Sequence, residues 1–219
     1  MKKQSETQTG TADDLKSRVD RCYQAETVDQ LRNVYDDWAG LYEADLVTEL
    51  GWDGPRQSGS FLMRHAAPTD RILDVAAGTG LGGLFLKENG YGNVDALDMS
   101  ENMLSQARKK NVYQNYYVMR LGGPLDIPTA TFDALIAVGV FTAGHAGPEC
   151  LDELLRITRP GGVFVFSIRP DVERDMGFRV KMDELEAAGR WQCVEVSEHL
   201  QGFRDVQTSP YRVFVYRVL

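Results

Sequence analysis

A glycine-rich turn between an aliphatic strand and a helix constrains the fold more than any other feature of this chain. The segment Asp74-Val75-Ala76-Ala77-Gly78-Thr79-Gly80-Leu81-Gly82-Gly83 follows the aliphatic run 71–75 and opens a helical pattern that extends to about residue 89. Small residues let the backbone approach a ligand closely and adopt dihedral angles that larger residues avoid. The segment could be only a tight turn, but its position also predicts a ligand site at the end of a buried strand.

Strands and helices alternate after this turn. Further strands are predicted at 94–97, 116–121, 132–138 and 163–168, with helices at 100–110 and 149–158. Such alternation implies right-handed crossovers and a parallel sheet with helices on both faces. The last two predicted strands, 191–199 and 211–219, have only a loop between them. We therefore predict an α/β fold with a doubly wound, mostly parallel seven-stranded sheet and one antiparallel strand near the C-terminus.

The N-terminal part of the chain has a different pattern. Residues 1–14 are polar, and such a terminus is expected to be mobile. Between residues 15 and 50 apolar side chains recur at helical spacing, and the segment GWDGPRQSG at 51–59 has the composition of a loop. We predict a polar, partly mobile extension over 1–30 and a single domain over 31–219, whose helical beginning lies over the ligand cleft.

Charge and composition narrow the classes of partner. The net charge is −8, so non-specific attraction to nucleic acid is not expected. No apolar run approaches the roughly 18–20 residues that span a bilayer, and no secretory signal is expected. The three cysteines are widely spaced and form no metal-binding or redox pair. We expect a cytoplasmic, monomeric protein with reduced thiols, no metal and no membrane partner.

An acidic residue about twenty positions after the turn completes a nucleoside-binding pattern. Asp98 ends the second predicted strand, where a carboxylate accepts hydrogen bonds from both hydroxyls of a ribose. The alternative is a simple solvated turn residue. Gly78, Gly80 and Gly83 also satisfy the dinucleotide fingerprint GxGxxG. However, about 70 residues precede the turn, Asp74 would oppose a pyrophosphate, and no Tyr-x-x-x-Lys pair occurs. An NAD-dependent oxidoreductase is therefore the weaker alternative.

The turn, Asp98, the fourth strand and Arg159-Pro160-Gly161-Gly162 together resemble the class I S-adenosylmethionine-dependent methyltransferases over residues 31–219. In that family an acidic residue precedes alternating glycines. Asp74, Gly78 and Gly80 match, whereas Ala76 replaces the first glycine; alanine is also small, so we expect this departure to be mild. The resemblance implies an enzyme that uses S-adenosylmethionine, releases S-adenosylhomocysteine and has a Rossmann-like fold.

The resemblance also implies where the cofactor binds. Asp98 would bind the ribose hydroxyls, Met99 would pack on the adenine, and Ser100 would cap the next helix. The family often has an acidic residue after the third strand, but this chain has Arg120, so backbone groups near Leu121 and Gly122 would recognise the adenine. The expected cofactor-binding residues are Tyr35, Trp38, Tyr42, Asp74, Ala76, Gly78, Thr79, Gly80, Asp98, Met99, Leu121, Gly122 and Val138.

Two further segments resemble a particular subfamily. Tyr35-Asp36-Asp37-Trp38-Ala39-Gly40-Leu41-Tyr42-Glu43 and Gly139-Val140-Phe141-Thr142-Ala143-Gly144-His145 are similar to the Williams–Beuren-region methyltransferase-like proteins. The aromatic residues of the first segment are at helical spacing. They could pack in the core, or place their rings near the cationic sulfonium of the cofactor.

The methyl acceptor is only loosely bounded by the sequence. Phe141 and His145 follow the fourth strand, where acceptors dock in this fold, although His145 could instead cap the following helix. Methyl transfer is an in-line displacement that depends mostly on positioning, so no motif identifies the catalytic residues. A general base is needed only if the acceptor carries a proton that must leave. We expect a small-molecule or protein side-chain acceptor; the alternative is a non-catalytic module that binds or senses S-adenosylmethionine.

Overall fold

The computed structural model describes residues 12–142, 144–204 and 210–219, which contain one seven-stranded sheet. Its strands are β1 (Ile72–Val75), β2 (Val94–Asp98), β3 (Tyr116–Val118), β4 (Phe132–Phe141), β5 (Thr158–Ile168), β6 (Trp191–Val196) and β7 (Arg212–Val218). The strand order is β3-β2-β1-β4-β5-β7-β6. Strand β7 is antiparallel to both of its neighbours, and the other pairs are parallel. The predicted fold class is confirmed, including the antiparallel strand near the C-terminus.

Helices cover both faces of the sheet. They are α1 (Ala12–Gln24), α2 (Val28–Trp38), α3 (Gly54–Leu62), α4 (Leu81–Glu88), α5 (Glu101–Lys109), α6 (Cys150–Ile157), α7 (Pro170–Asp175) and α8 (Phe178–Ala187), with a π-helical segment at Ala44–Glu49. Helix α2 starts with a capping box between Thr27 and Gln30. At α5 the Ser100 hydroxyl accepts the backbone N–H of Met103 at 3.0 Å, which confirms the predicted cap.

The core forms on both sides of the sheet because alternate residues of each central strand point to opposite faces. In β4, Leu135 belongs to the cluster beneath α6 and α8, and Ile136 to the cluster beneath α3, α4 and α5; both are fully buried. In β5, Phe164 belongs to the cluster beneath α6 and α8, and Val165 belongs to the cluster beneath α3, α4 and α5. Burial on both faces is the physical reason for the nearly continuous apolar runs in these strands.

The predicted loop at 51–59 is wrong, because helix α3 begins at Gly54. Pro55 lies in its first turn, where the backbone N–H that proline lacks would have no helical partner. A Cβ at Gly54 would lie 2.2 Å from Cζ2 of Trp52, so glycine is required there by packing. The proline and glycine that suggested a loop therefore mark a helix start and a close contact.

The N-terminal helices form a third hydrophobic cluster. Leu15 and Cys22 of α1 pack with Leu31 and Val34 of α2. The predicted domain boundary at residue 31 falls inside α2. Helix α1, which precedes this boundary, packs against α2. Residues 1–11 of the predicted mobile extension lie outside the described residues.

Polar contacts connect this N-terminal layer to the sheet. The Ser100 hydroxyl donates to Asp36 of α2 at 2.5 Å. Lys110 Nζ donates to Oε1 of Glu43 at 2.5 Å and to the backbone carbonyl of Thr79 at 2.8 Å. The helical N-terminal segment is thereby held over the glycine-rich turn. In the part of the chain that the structure describes, no helix has the length and apolar character needed to cross a membrane.

Candidate functional site

A cleft with about 780 Å³ of empty space opens where β1, β2, β3 and β4 end. Ligands of doubly wound sheets bind in this crevice at the carboxyl ends of the strands. Helix α2 forms the opposite wall through Val28, Leu31 and Tyr35. The sheet side is lined by Ala76, Gly78, Leu97, Asp98, Met99, Met119, Arg120, Leu121, Val138, Gly139 and Val140.

Asp98 is fixed at the base of the cleft by backbone hydrogen bonds. Its Oδ2 accepts the N–H of Gly78 at 2.8 Å, and its Oδ1 accepts the N–H of Ser100 at 2.9 Å. The residue is only 8% exposed, and burial raises its pKa above the ordinary value while these N–H groups oppose the rise. A carboxylate in this environment is well suited to accept hydrogen bonds from ligand hydroxyls.

The two alternating glycines of the turn have different environments. Gly78 lines the cleft with φ +53°, and a Cβ built there would meet nothing within 4 Å. Gly80 has φ +91°, and its Cβ would lie 3.0 Å from Cβ of Ala107 and 3.2 Å from Cε2 of Tyr113. Gly78 therefore presents bare backbone to the cleft, whereas Gly80 allows the turn to pack closely on α5.

Asp74 lies beneath the turn and does not line the cleft. The Tyr113 hydroxyl donates to its Oδ2 at 2.5 Å and accepts the N–H of Gly83 at 3.0 Å. Asp74 is 3% exposed, and this burial raises its pKa to about 7. The carboxyl group thus braces the turn from below, through Tyr113.

A second cavity, partly open to solvent and with about 1300 Å³ of empty space, adjoins the cleft. The two share a wall formed by Tyr35, Tyr42, Val138, Gly139 and His145. Within this wall the Tyr35 hydroxyl lies 2.7 Å from Nε2 of His145, joining α2 to the loop after β4. The two spaces therefore meet at these five residues.

Solved structures of low sequence identity share the fold. A TehB-like SAM-dependent methyltransferase from Corynebacterium glutamicum is 17% identical with a TM-score of 0.64, over 85% of this chain and 100% of that one. The CcbJ methyltransferase from Streptomyces caelestis is 18% identical with a TM-score of 0.57, over 76% and 95%. These similarities support the architecture.

Sequence comparison establishes the family. Residues 73–166 match the family described as a methyltransferase domain. Methyltransferase-like protein 27 from Homo sapiens is 32% identical over 193 residues, which are 84% of this chain and 77% of that protein. The chain belongs to the S-adenosylmethionine-dependent methyltransferase family. The resemblance identified from the sequence, at both the family and the subfamily level, is thus confirmed.

The methyltransferase brings many of the predicted residues together at one cleft. Those on its wall are Tyr35, Tyr42, Ala76, Gly78, Asp98, Met99, Leu121 and Val138. His145 lines both the cleft and the second cavity, and Phe141 lines the second cavity. Arg120 also lies on the cleft wall, a position for which no role was predicted.

Other predicted cofactor residues lie elsewhere, each for a physical reason. Besides Asp74 and Gly80, Thr79 is 2% exposed and faces the interior. Trp38 is buried, donates its indole N–H to Asp45 at 2.6 Å and lines the second cavity instead, as the core-packing alternative predicted. Gly122 has φ +91° and lies off the cleft wall.

The departure at Ala76 has a larger consequence than expected. Ala76 of the methyltransferase has φ +55°, in the left-handed region that glycine adopts without strain. A side chain with a Cβ costs roughly 1–2 kcal/mol there. The replacement of the family's first glycine is therefore accommodated in size but carries backbone strain.

Several residues of the second cavity could not be found from sequence motifs. They are Val19, Cys22 and Tyr23 of α1, together with Trp52, Arg169, Phe203 and Tyr211. They come from segments far apart in the chain, and only the helical spacing after residue 15 hinted that α1 contributes a packed face. Within the described ranges, no group of three or more His, Cys, Asp and Glu side chains could hold a metal ion.

Proposed function

We propose that this methyltransferase binds S-adenosylmethionine in the cleft and transfers its methyl group to a small molecule in the second cavity. The observation that carries the proposal is the position of Asp98 at the end of β2, hydrogen-bonded to Gly78, in a cleft whose far wall is shared with a second cavity. This arrangement offers a ribose site and an adjoining acceptor space that meet at shared lining residues.

The residues of the cleft fit the chemical groups of this cofactor. The Asp98 carboxylate suits ribose hydroxyls, and Met99 and Leu121 provide apolar surface for an adenine. The space before Gly78 admits a ligand against bare backbone. Tyr35 and Tyr42 present aromatic rings, which attract a sulfonium cation.

The cofactor supplies a methyl group already activated by the positive sulfur, so the chain's task is positioning. Tyr35, Val138 and His145 lie where the two spaces meet and would align the acceptor with the cleft. Helix α2 covers the cleft and would exclude water from it. Asp74 contributes indirectly, because Tyr113 links its carboxyl group to the backbone of the turn at Gly83.

We propose a cytoplasmic monomer, and the free thiols of Cys22, Cys150 and Cys193 support a reducing compartment. Light scattering of the purified protein tests the monomer, and imaging of the tagged chain in its own cells tests the location.

Calorimetry with S-adenosylhomocysteine tests the cofactor site. Asp98→Ala should weaken binding about tenfold to a few hundredfold, because hydrogen bonds to a charged acceptor contribute roughly 1.5–3 kcal/mol each. Glu101→Gln is the matched control, since it removes one negative charge from the exposed start of α5. Affinity should stay within about threefold of wild type in this control.

Three results would contradict the proposal. Unchanged affinity in a folded Asp98→Ala protein would remove this carboxylate from the site. Tight binding of NAD would favour the oxidoreductase alternative. Binding of S-adenosylhomocysteine without radiolabelled methyl transfer to any extract fraction would favour the non-catalytic sensor.

A further inference from the structure

Eight of the described residues that line the second cavity have aromatic rings. They are Tyr23, Tyr35, Trp38, Tyr42, Trp52, Phe141, Phe203 and Tyr211. Aromatic side chains offer wide, flat apolar surfaces that favour stacking with another ring. These rings come from α1, from α2 and the turn after it, from the segment before α3 and from the segments around β4 and β7, so distant parts of the chain contribute to one lining.

Trp52 is held in a fixed orientation on this surface. A Cβ at Gly54 would lie 2.2 Å from its ring atom Cζ2, and one at Gly202 would lie 2.4 Å from Cζ3. At Gly139 the corresponding contact to Cζ2 is 3.6 Å. The ring of Phe203 packs against the indole with centroids 4.9 Å apart. Because these glycines have no side chains, the indole of Trp52 fits between them. Its flat face is therefore already in position before a ligand binds.

The charges around the cavity disfavour a cationic ligand. Of the described residues that line it, Arg169 alone has a permanent charge. Its Nε donates to Oδ1 of Asp171 at 3.0 Å, so the guanidinium is largely neutralised. No carboxylate is among the described lining residues, and a buried ammonium without a counterion is costly. A sulfonium in the adjoining cleft would add repulsion.

The shared wall provides a polar pair for an acceptor that carries a proton. The Tyr35 hydroxyl and Nε2 of His145 are 2.7 Å apart. Burial raises the pKa of Tyr35 well above its usual value, so the phenol stays protonated at neutral pH. With the ring proton of His145 on Nδ1, its Nε2 accepts from Tyr35, and the phenol oxygen remains able to accept from a ligand hydroxyl.

We propose that the acceptor is a flat aromatic small molecule that is methylated on a hydroxyl oxygen, a proposal that rests on the function assigned above. The hydroxyl oxygen forms the new bond to the methyl carbon, and the carbon–sulfur bond breaks with its electron pair remaining on sulfur. The hydroxyl proton passes to Oη of Tyr35 while the proton of Tyr35 passes to Nε2 of His145. Tyr35 thus relays the proton and His145 retains it as the imidazolium.

Calorimetry on protein saturated with S-adenosylhomocysteine tests the ligand class with three probes. They are 2-naphthol, 2-methoxynaphthalene and the ammonium form of 2-naphthylmethylamine. The first two should bind with affinities within about tenfold of each other, and the ammonium at least about tenfold more weakly. Phe203→Ala should weaken 2-naphthol binding about tenfold and leave S-adenosylhomocysteine affinity unchanged. Equal or tighter binding of the ammonium, or no binding of any probe, overturns the proposal.

Radiolabelled methyl transfer tests whether the acceptor is methylated on its hydroxyl oxygen and whether Tyr35 relays the proton. Transfer is expected to 2-naphthol and not to 2-methoxynaphthalene. Tyr35→Phe should lower the rate at least about tenfold while 2-methoxynaphthalene affinity stays within about threefold. Tyr117→Phe is the matched control, because that hydroxyl contacts Arg71 outside both spaces, and its rate should match wild type.

The outcomes also separate this inference from the proposed function. If S-adenosylhomocysteine fails to bind, the proposed function itself is wrong. If it binds but lysine-bearing peptides accept the methyl group and 2-naphthol does not, the cofactor site stands and the aromatic acceptor is refuted. Full transfer by Tyr35→Phe refutes the relay.

Discussion

Alanine substitutions at Gly78 and Gly80 separate contact with a ligand from packing within the protein. Both glycines have positive φ, so alanine costs roughly 1–2 kcal/mol of backbone strain at either position. At Gly78 nothing lies within 4 Å of the added Cβ, and strain is the whole cost. At Gly80 the Cβ lies 3.0 Å from Ala107, which adds roughly 1–3 kcal/mol of overpacking.

The expected free energies of unfolding follow from these contacts. Gly78→Ala should lose about 1–2 kcal/mol and Gly80→Ala about 2–5 kcal/mol. The order reverses for ligand affinity, because only the Cβ at Gly78 enters the cleft. Gly78→Ala should weaken S-adenosylhomocysteine binding at least about tenfold, a loss of about 1.4 kcal/mol. Gly80→Ala should bind within about threefold of wild type.

Urea denaturation and calorimetry on the same protein preparations measure both quantities. Calorimetry is restricted to folded protein, as judged by a cooperative melt, so that instability is not mistaken for weak binding. Wild-type affinity in Gly78→Ala would show that no ligand approaches the backbone there. A larger loss of affinity in Gly80→Ala than in Gly78→Ala would refute the assignment of the two glycines.

Three further predictions concern the turn and the N-terminal helices. Folding raises the pKa of Asp74 from 3.8 to about 7. Its contribution to the free energy of unfolding is therefore complete below pH 3.8 and is lost as the pH rises through 7. Asp74→Asn keeps an acceptor for Tyr113 but cannot ionise. In denaturation experiments its free energy of unfolding, relative to that of wild type, should increase by up to about 4 kcal/mol between these pH values. A difference that does not change with pH would refute the raised pKa of the buried carboxyl group. Ala76→Gly should raise the free energy of unfolding by about 1 kcal/mol by relieving the positive φ, and urea denaturation showing a loss would contradict the strain. Hydrogen exchange should show that S-adenosylhomocysteine slows exchange in residues 31–50 more than in 191–219, because opening α2 must break ligand contacts; equal protection would mean only global stabilisation.

The fold and the position of the nucleoside site could be predicted because both are encoded locally. Alternating apolar segments fix strands and helices, and the chirality of crossovers leaves few sheet topologies. Asp98 ends a parallel strand, so its place beside the glycine-rich turn follows from the common edge at which such strands end. The cap at Ser100 is equally local, since donor and acceptor are three residues apart.

The roles of individual side chains could be assigned only from the tertiary structure. Gly78 and Gly80 are the same residue type at alternate positions of one turn, so the sequence does not distinguish their roles. Only the packing of Gly80 on α5 shows that Gly78 is the one that faces the cleft. Asp74 matches the family motif, yet its partner Tyr113 is 39 residues away and the carboxyl group points beneath the turn. A strand pattern specifies that a residue is buried, but not which distant group meets it.

The second cavity was decided by tertiary structure almost entirely. Tyr23, Trp52 and Phe203 meet there from segments separated by many residues, and the helix that starts at Gly54 looked like a loop. Local periodicity records how each segment buries its own apolar face. Which faces surround a common space depends on the docking of α1 and α2 over the sheet, and that docking is set by contacts between segments that no local pattern encodes.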